Sequence, residues 1–127
     1  NKINEQTFVI DSPGEYEVSD VFIYGRQING TNIYLVTFDD MKLAFLGEYG
    51  HQTLTDKDLE LIEGADILIT DSTFTDAEYA SKVGWGHSAI SEVVNLAHDA
   101  NVKTLCLFHH DPDQTDDDID AKFETAK

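Results

Sequence analysis

Cysteine is almost absent from this chain: Cys106 stands alone among 127 residues, so no internal disulfide can form. A reducing compartment, the cytoplasm, is the expected setting. The run Leu105–Phe108 around that cysteine predicts a buried small hydrophobe rather than a nucleophile. Long apolar runs are also missing, and none approaches the ~20 residues that a membrane span requires. No basic-then-apolar leader opens the sequence, and its first residue is Asn, which predicts a processed or trimmed start. Glycine-rich strand-to-helix fingerprints are lacking too, so Gly14 and Gly47 read as turn formers and not as phosphate loops.

Positive charge is scarce. Eight Lys plus Arg stand against 25 acids, leaving a formal charge of −17. Such a surface repels phosphate backbones and anionic membranes, so neither nucleic acid nor membrane is an expected partner. It suits divalent cations, a basic partner or high salt, and it serves equally as a solubility surface. The acids Asp111, Asp113, Asp116, Asp117, Asp118 and Asp120 form a local tail, but others are spread along the whole chain.

What is present orders itself as a single domain over 1–127, long enough for one core. The first third, residues 7–46, reads as a β-meander. Thr7–Ile10 is a short apolar run ended by Asp11-Ser12-Pro13-Gly14, followed by Glu15–Val18 and Val21–Ile28. Asn29-Gly30 is a strong hairpin signal, and Asp39-Asp40 joins Thr31–Phe38 to Met41–Leu46. From 55 to 125, helices and strands alternate. Thr55 to Asp58 resembles a helix start with Leu59 and Ile62 on one face, and Thr75 with Glu78 forms a second capping box. Ala65–Thr70 and Lys103–Phe108 read as buried strands. Ser88–Ala100 carries an apolar stripe of Ile90, Val93, Val94 and Ala97, and a last helix uses Ile119 and Phe123. The expected α/β fold is therefore one mixed, largely antiparallel sheet with helices on one face. Apolar residues stand at both parities of the strands (Phe22, Tyr24, Tyr34, Phe38), so the opposite face wants cover as well.

Two stretches carry a family resemblance. Thr7–Val18 and Leu46-Gly47-Glu48-Tyr49-Gly50-His51, within residues 7–69, resemble the small lactonase-like hydrolases of the metallo-β-lactamase superfamily. Residues 66–113, through Asp71, Gly84-Trp85-Gly86-His87-Ser88 and Phe108-His109-His110-Asp111-Pro112, resemble a phosphodiesterase-type branch. The join near Ala65–Asp71 is compatible with natural divergence or with a recombined, engineered chimera. The resemblance implies the carboxy-terminal half of a four-layer αββα sandwich whose metal site lies between two halves. The His-x-His-x-Asp-His signature of the first half is absent here, and a further ligand histidine is lost where the loop has shrunk to Gln27–Gly30.

The residues that the resemblance carries over are few. His109 matches the last metal histidine, and Glu48 stands where relatives have a bridging aspartate, one methylene shorter. His110 is the third candidate ligand, with His51 and Asp111 as possible helpers, for Zn or another divalent metal. Asp71 and His87 resemble the acid–histidine pair that assists proton transfer in phosphodiesterases. Each has a plainer reading. Glu48 and His109 are then hydrogen-bonding remnants, His110 a solvated loop residue, Asp71 a strand end, and His87 a group beside the Ser88 helix. Trp85 is expected to be a packing plug, and His98 to lie on the surface.

Three functions follow from these readings. The first is a self-associating half-domain with little or no catalysis, a homodimer joined through the open sheet face. The second is a metal-dependent hydrolase of phosphodiesters, esters or lactones whose residual site is assembled in the dimer. The third is one fragment completed by a separate amino-terminal half.

Overall fold

The structure, a computed structural model, describes residues 7–49 and 54–127. Its elements run β1 (Gly14–Val18), β2 (Val21–Ile28), β3 (Thr31–Phe38), β4 (Met41–Gly47), α1 (Asp56–Ile62), β5 (Ile67–Asp71), α2 (Asp76–Tyr79), α3 (Ile90–Asp99), β6 (Thr104–Phe108) and α4 (Asp116–Thr125). All six strands form one sheet in sequence order. β1 to β4 pair antiparallel, whereas β5 joins β4 and β6 joins β5 in parallel.

Turn chemistry sets the meander. Ser19-Asp20, Asn29-Gly30 and Asp39-Asp40 all have positive φ at both positions, the conformation whose twist matches two antiparallel strands. The short run Thr7–Ile10 is not a strand. Phe8 and Val9 stay exposed there, and the Phe8 ring meets Tyr16 edge-on at 6.4 Å. A segment followed at once by Asp-Ser-Pro-Gly has no room to turn back into the ladder of β1. Helices α1, α2 and α4 each begin with a threonine capping box, at Thr55, Thr75 and Thr115.

Strand alternation divides the sheet into two unlike faces. On one face Ile28, Ile33, Ala44, Leu46 and Leu68 pack with Ile62 and Ala65 around α1 and with Leu96 and Ala100 around α3, forming the main core. Burying the isoleucine and leucine side chains among them stabilises by roughly 1.5–3 kcal/mol each. The opposite face follows two cross-strand rows. One is Gly14, Gly25, Tyr34, Phe45, Ile69 and Cys106; the next is Tyr16, Ile23, Val36, Leu43, Ile67 and Thr104. Among the described residues no helix side chain joins that face, and apart from Asp71 at its edge none of its side chains is buried. Cys106, expected to be buried, is exposed there because none of the described residues forms a second layer over its face.

Candidate functional site at the sheet edge

Parallel neighbours end at the same edge, so β5 and β6 deliver their last residues, the paired Asp71 and Phe108, side by side. Beyond them the backbone is pinned. The Ser72 N–H and hydroxyl both donate to Phe108 O, at 2.8 and 3.0 Å. His109 follows with φ +60, a left-handed conformation that turns its ring back across the edge. β4 reaches the same place through a register shift between Phe45 and Gly47, which sets Glu48 beside His109. His87 arrives from the loop before α3, which a bridge between Phe74 and Ala89 ties to the segment after β5.

Asp71 is the hub. It is fully buried, and a lone carboxylate in that position would cost several kcal/mol. Donors surround it instead. Oδ1 accepts from the Ser88 N–H at 2.8 Å and the Thr73 N–H at 3.3 Å; Oδ2 accepts from the Thr73 hydroxyl at 2.9 Å. His87 Nδ1 lies 3.0 Å from Oδ2, and His109 Nδ1 lies 3.2 Å from it. The two imidazoles stack at 4.9 Å with 13° between their planes, and Phe74 meets His87 edge-on at 5.6 Å. On its other side His109 presents Nε2 to Glu48 Oε1 at 3.5 Å.

Of the residues expected from sequence, the structure brings Asp71, His87, His109 and Glu48 into one contiguous group. His110 points elsewhere: its Nδ1 is 3.3 Å from Lys122 Nζ. Burial holds the His110 imidazole below its ordinary pKa, and the Lys122 charge adds to the effect. Asp111 faces Lys82 at 3.4 Å, and backbone donation from Asp113 is the main reason its carboxyl stays below the usual range. His98 is exposed, and His51 lies outside the described residues. Trp85 does not plug a gap. It is 65% exposed between Gly84 and Gly86, both at positive φ, so the loop turns its ring outward.

Two contributors escape a reading of the sequence. Thr73 donates to Asp71 and lies 2.8 Å from His109 Nδ1, yet nothing but its place after Asp71-Ser72 marks it. Lys122 is wholly buried, its ammonium donating to Ser72 O at 3.0 Å and Thr73 O at 2.6 Å. Its one signal is to be the lysine of an otherwise acidic helix.

Could these residues hold a metal? Among the described residues, Asp71, His87 and His109 have ligand atoms all within 4.8 Å of one another. The close approaches inside that group, however, are a hydrogen bond from His87 to Asp71 and an ion-pair contact of His109 with the same carboxylate. The Glu48–His109 separation of 3.5 Å is different. Two ligands about 2.1 Å from one tetrahedral ion stand about 3.4 Å apart. A carboxylate and an imidazole at that spacing fit two corners of a zinc-type site. The remaining corners need water or another polypeptide.

A single mixed sheet with helices on one face, and an acid–histidine group at the edge of its parallel strands, correspond to one half of a two-sheet αββα sandwich. The model of the beta-lactamase superfamily domain matches residues 25–110, and the chain belongs to the metallo-β-lactamase superfamily. It is 33% identical over 102 residues to ribonuclease Z of Brevibacillus brevis, covering 79% of this chain and 30% of that one. With ribonuclease Z of Sulfurisphaera tokodaii it shares 36% over 90 residues, covering 68% and 29%. A Thermotoga maritima structure assigned as a Zn-dependent hydrolase of the superfamily superposes with a TM-score of 0.67 at 25% identity, over 82% of this chain and 49% of that one. The Bacillus subtilis metallo-β-lactamase fold protein YhfI gives 0.67 at 17% identity, over 93% and 48%. The chain thus spans less than a third of these ribonucleases and about half of these structures.

Proposed function

We propose that the chain works as a self-associating half of a metallo-β-lactamase sandwich. A second copy covers its open sheet face, and the edge site gives at most weak metal-dependent hydrolysis of phosphodiesters or activated esters. One observation carries this reading: the chain bears −17, yet its uncovered face holds no Lys, Arg or Glu, and its one acid, Asp71, sits at the edge. Surfaces left to water in so acidic a protein carry charge; a surface free of it suits a dry layer about 10 Å thick between two sheets. A twofold axis through that layer would let each copy stand in for the other's missing half.

The hydrolytic part rests on the Glu48–His109 pair and on the ribonuclease Z relatives. A divalent ion held at Glu48 Oε1 and His109 Nε2 would supply a Lewis acid for the scissile group. The chain's own contribution is proton handling. With Nδ1–H engaged by Asp71, His87 keeps Nε2 as the nitrogen that exchanges a proton with a leaving oxygen. Two ligand side chains make a weak site, which is why little turnover is expected.

Sedimentation velocity at micromolar concentration, metal analysis and hydrolysis of bis(p-nitrophenyl) phosphate test the two parts separately. A dimer is expected, with a slow rate that His109→Ala abolishes. A folded monomer sinks the self-association. Equal rates in wild type and His109→Ala dismiss the hydrolase. A monomer that dimerises only with an amino-terminal half bearing His-x-His-x-Asp-His would assign the face to that partner instead, a reading that the share of the ribonucleases lying outside the match favours.

A further inference from the structure

We infer that Thr73 is a positioning residue that fixes which nitrogen of His109 carries the proton, leaving Nε2 with a free lone pair toward Glu48. The inference rests on the metal reading of that edge, but the hydrogen-bond logic stands apart from it. A threonine hydroxyl has one proton. Thr73 Oγ1 has three neighbours: Asp71 Oδ2 at 2.9 Å, His109 O at 3.2 Å and His109 Nδ1 at 2.8 Å. A carboxylate and a carbonyl can only accept, so the hydroxyl proton goes to one of those oxygens. Oγ1 is then an acceptor toward the ring, and Nδ1 of His109 must be the donor. Asp71 Oδ2, 3.2 Å from the same nitrogen, is an acceptor too, though at ion-pair distance without hydrogen-bond alignment. Every group on the Nδ1 side therefore demands a proton there.

A neutral imidazole carries one such proton. If Nδ1 holds it, Nε2 is the lone-pair nitrogen; the Glu48 carboxylate competes for the proton only from ion-pair distance, 3.5 Å from Nε2, whereas Thr73 Oγ1 lies within hydrogen-bond distance of Nδ1 at 2.8 Å. The opposite tautomer would put a hydrogen where a cation must bind. Thr73 itself cannot drift. Its carbonyl takes the Lys122 ammonium at 2.6 Å and the Gln114 amide at 3.2 Å, and its N–H donates to Asp71. The side chain is thus presented from a clamped backbone, which gives the ring an orientation as well as a tautomer.

Long-range proton–nitrogen correlation of the metal-free protein, at a pH where the imidazoles are neutral, reads the tautomer directly. Wild type is expected to show His109 protonated on Nδ1. Thr73→Val should bring in a population protonated on Nε2, because Nδ1–H must then share Asp71 Oδ2 with His87. Thr73→Ser should restore the wild-type pattern. Zn titration of the same three proteins should show about tenfold weaker binding for the valine variant and near-normal binding for serine. A wild-type His109 protonated on Nε2 overturns the inference whatever the variants do. So does a valine variant matching wild type in both measurements. If the tautomers behave as expected but none of the proteins binds Zn, the lock stands and the metal reading fails.

Discussion

Asp58 shows how a single acid is made stabilising in a chain overloaded with acids. Its Oδ2 accepts from the Thr55 N–H at 2.9 Å and the Thr55 hydroxyl at 2.7 Å, and Arg26 pairs with Oδ1 at 3.1 Å. The hydrogen bond from the Thr55 side chain, more than the Arg26 charge, keeps the carboxyl below its usual pKa although the residue is buried. A depressed folded pKa means that the unfolded chain binds the proton more tightly. The stabilisation is therefore complete above the ordinary value of about 4 and is lost as pH falls through the lower, folded one. Asp58→Asn should lower stability by about 1–2 kcal/mol at pH 7, and the gap to wild type should narrow at pH 3. Thermal unfolding of both proteins at the two pH values measures this; a gap that stays constant would mean that the charge plays no part. The spacing of Thr55 and Asp58 made this cap readable in the sequence. Arg26 was not readable as its partner, because the pair is brought together by tertiary packing of β2 against α1.

At the scale of elements, α4 marks where reading by pattern stops. Apolar spacing assigns Ile119 and Phe123 to its inner face, yet Phe123 is 56% exposed and Lys122 is the buried residue. The reason is the need of two carbonyls. Ser72 and Thr73 turn their oxygens inward beyond the end of β5, and buried acceptors require donors. Hydropathy alone cannot show such a demand, so a lone lysine in an acidic helix reads as surface. Burial holds its ammonium below the ordinary pKa against the pull of Glu78 and Asp71. Lys122→Met fills the space but leaves both oxygens unpaired, and should cost about 2–3 kcal/mol. Denaturant unfolding tests it, and an unchanged midpoint would show that α4 is not latched through this residue. The hairpins are the contrary case. Asn29-Gly30 and Asp39-Asp40 announced their turns because few residues accept positive φ, and α3 announced itself by its stripe: Ile90 and Val93 are buried, Ala97 packs against the core half-buried, and Leu96 is buried in addition.

For the molecule as a whole, the sequence showed the half-sandwich through a meander followed by alternating helices and strands. Apolar residues at both parities predict cover for the second face, which the helices of this chain leave open. The sequence did not show that this face excludes charge, since that depends on register across six strands. A charge placed there should be disruptive out of proportion to its effect on the monomer. Val36→Lys lies in the second cross-strand row, where the side chain is only partly covered. It should turn a dimer into a folded monomer in sedimentation velocity, with the far-ultraviolet spectrum unchanged. Salt should act in the opposite sense. Two bodies of −17 repel, so association should tighten as ionic strength rises from about 0.05 to 0.5 M, where the screening length falls below about 10 Å.

The three two-residue turns also bear on how quickly the chain finds its shape. Strands β1 to β4 need only close tight loops between sequence neighbours, whereas β5 and β6 must wait for crossovers through α1, α2 and α3. Gly30, at φ +88, sits in the middle hairpin, so Gly30→Ala should slow refolding, while Leu105→Ala in β6 should act mainly by hastening unfolding. Chevron plots that reversed this order would place the rate-limiting assembly in the parallel half, and an acidic protein of this design would then owe its speed to its last strand and not to its first four.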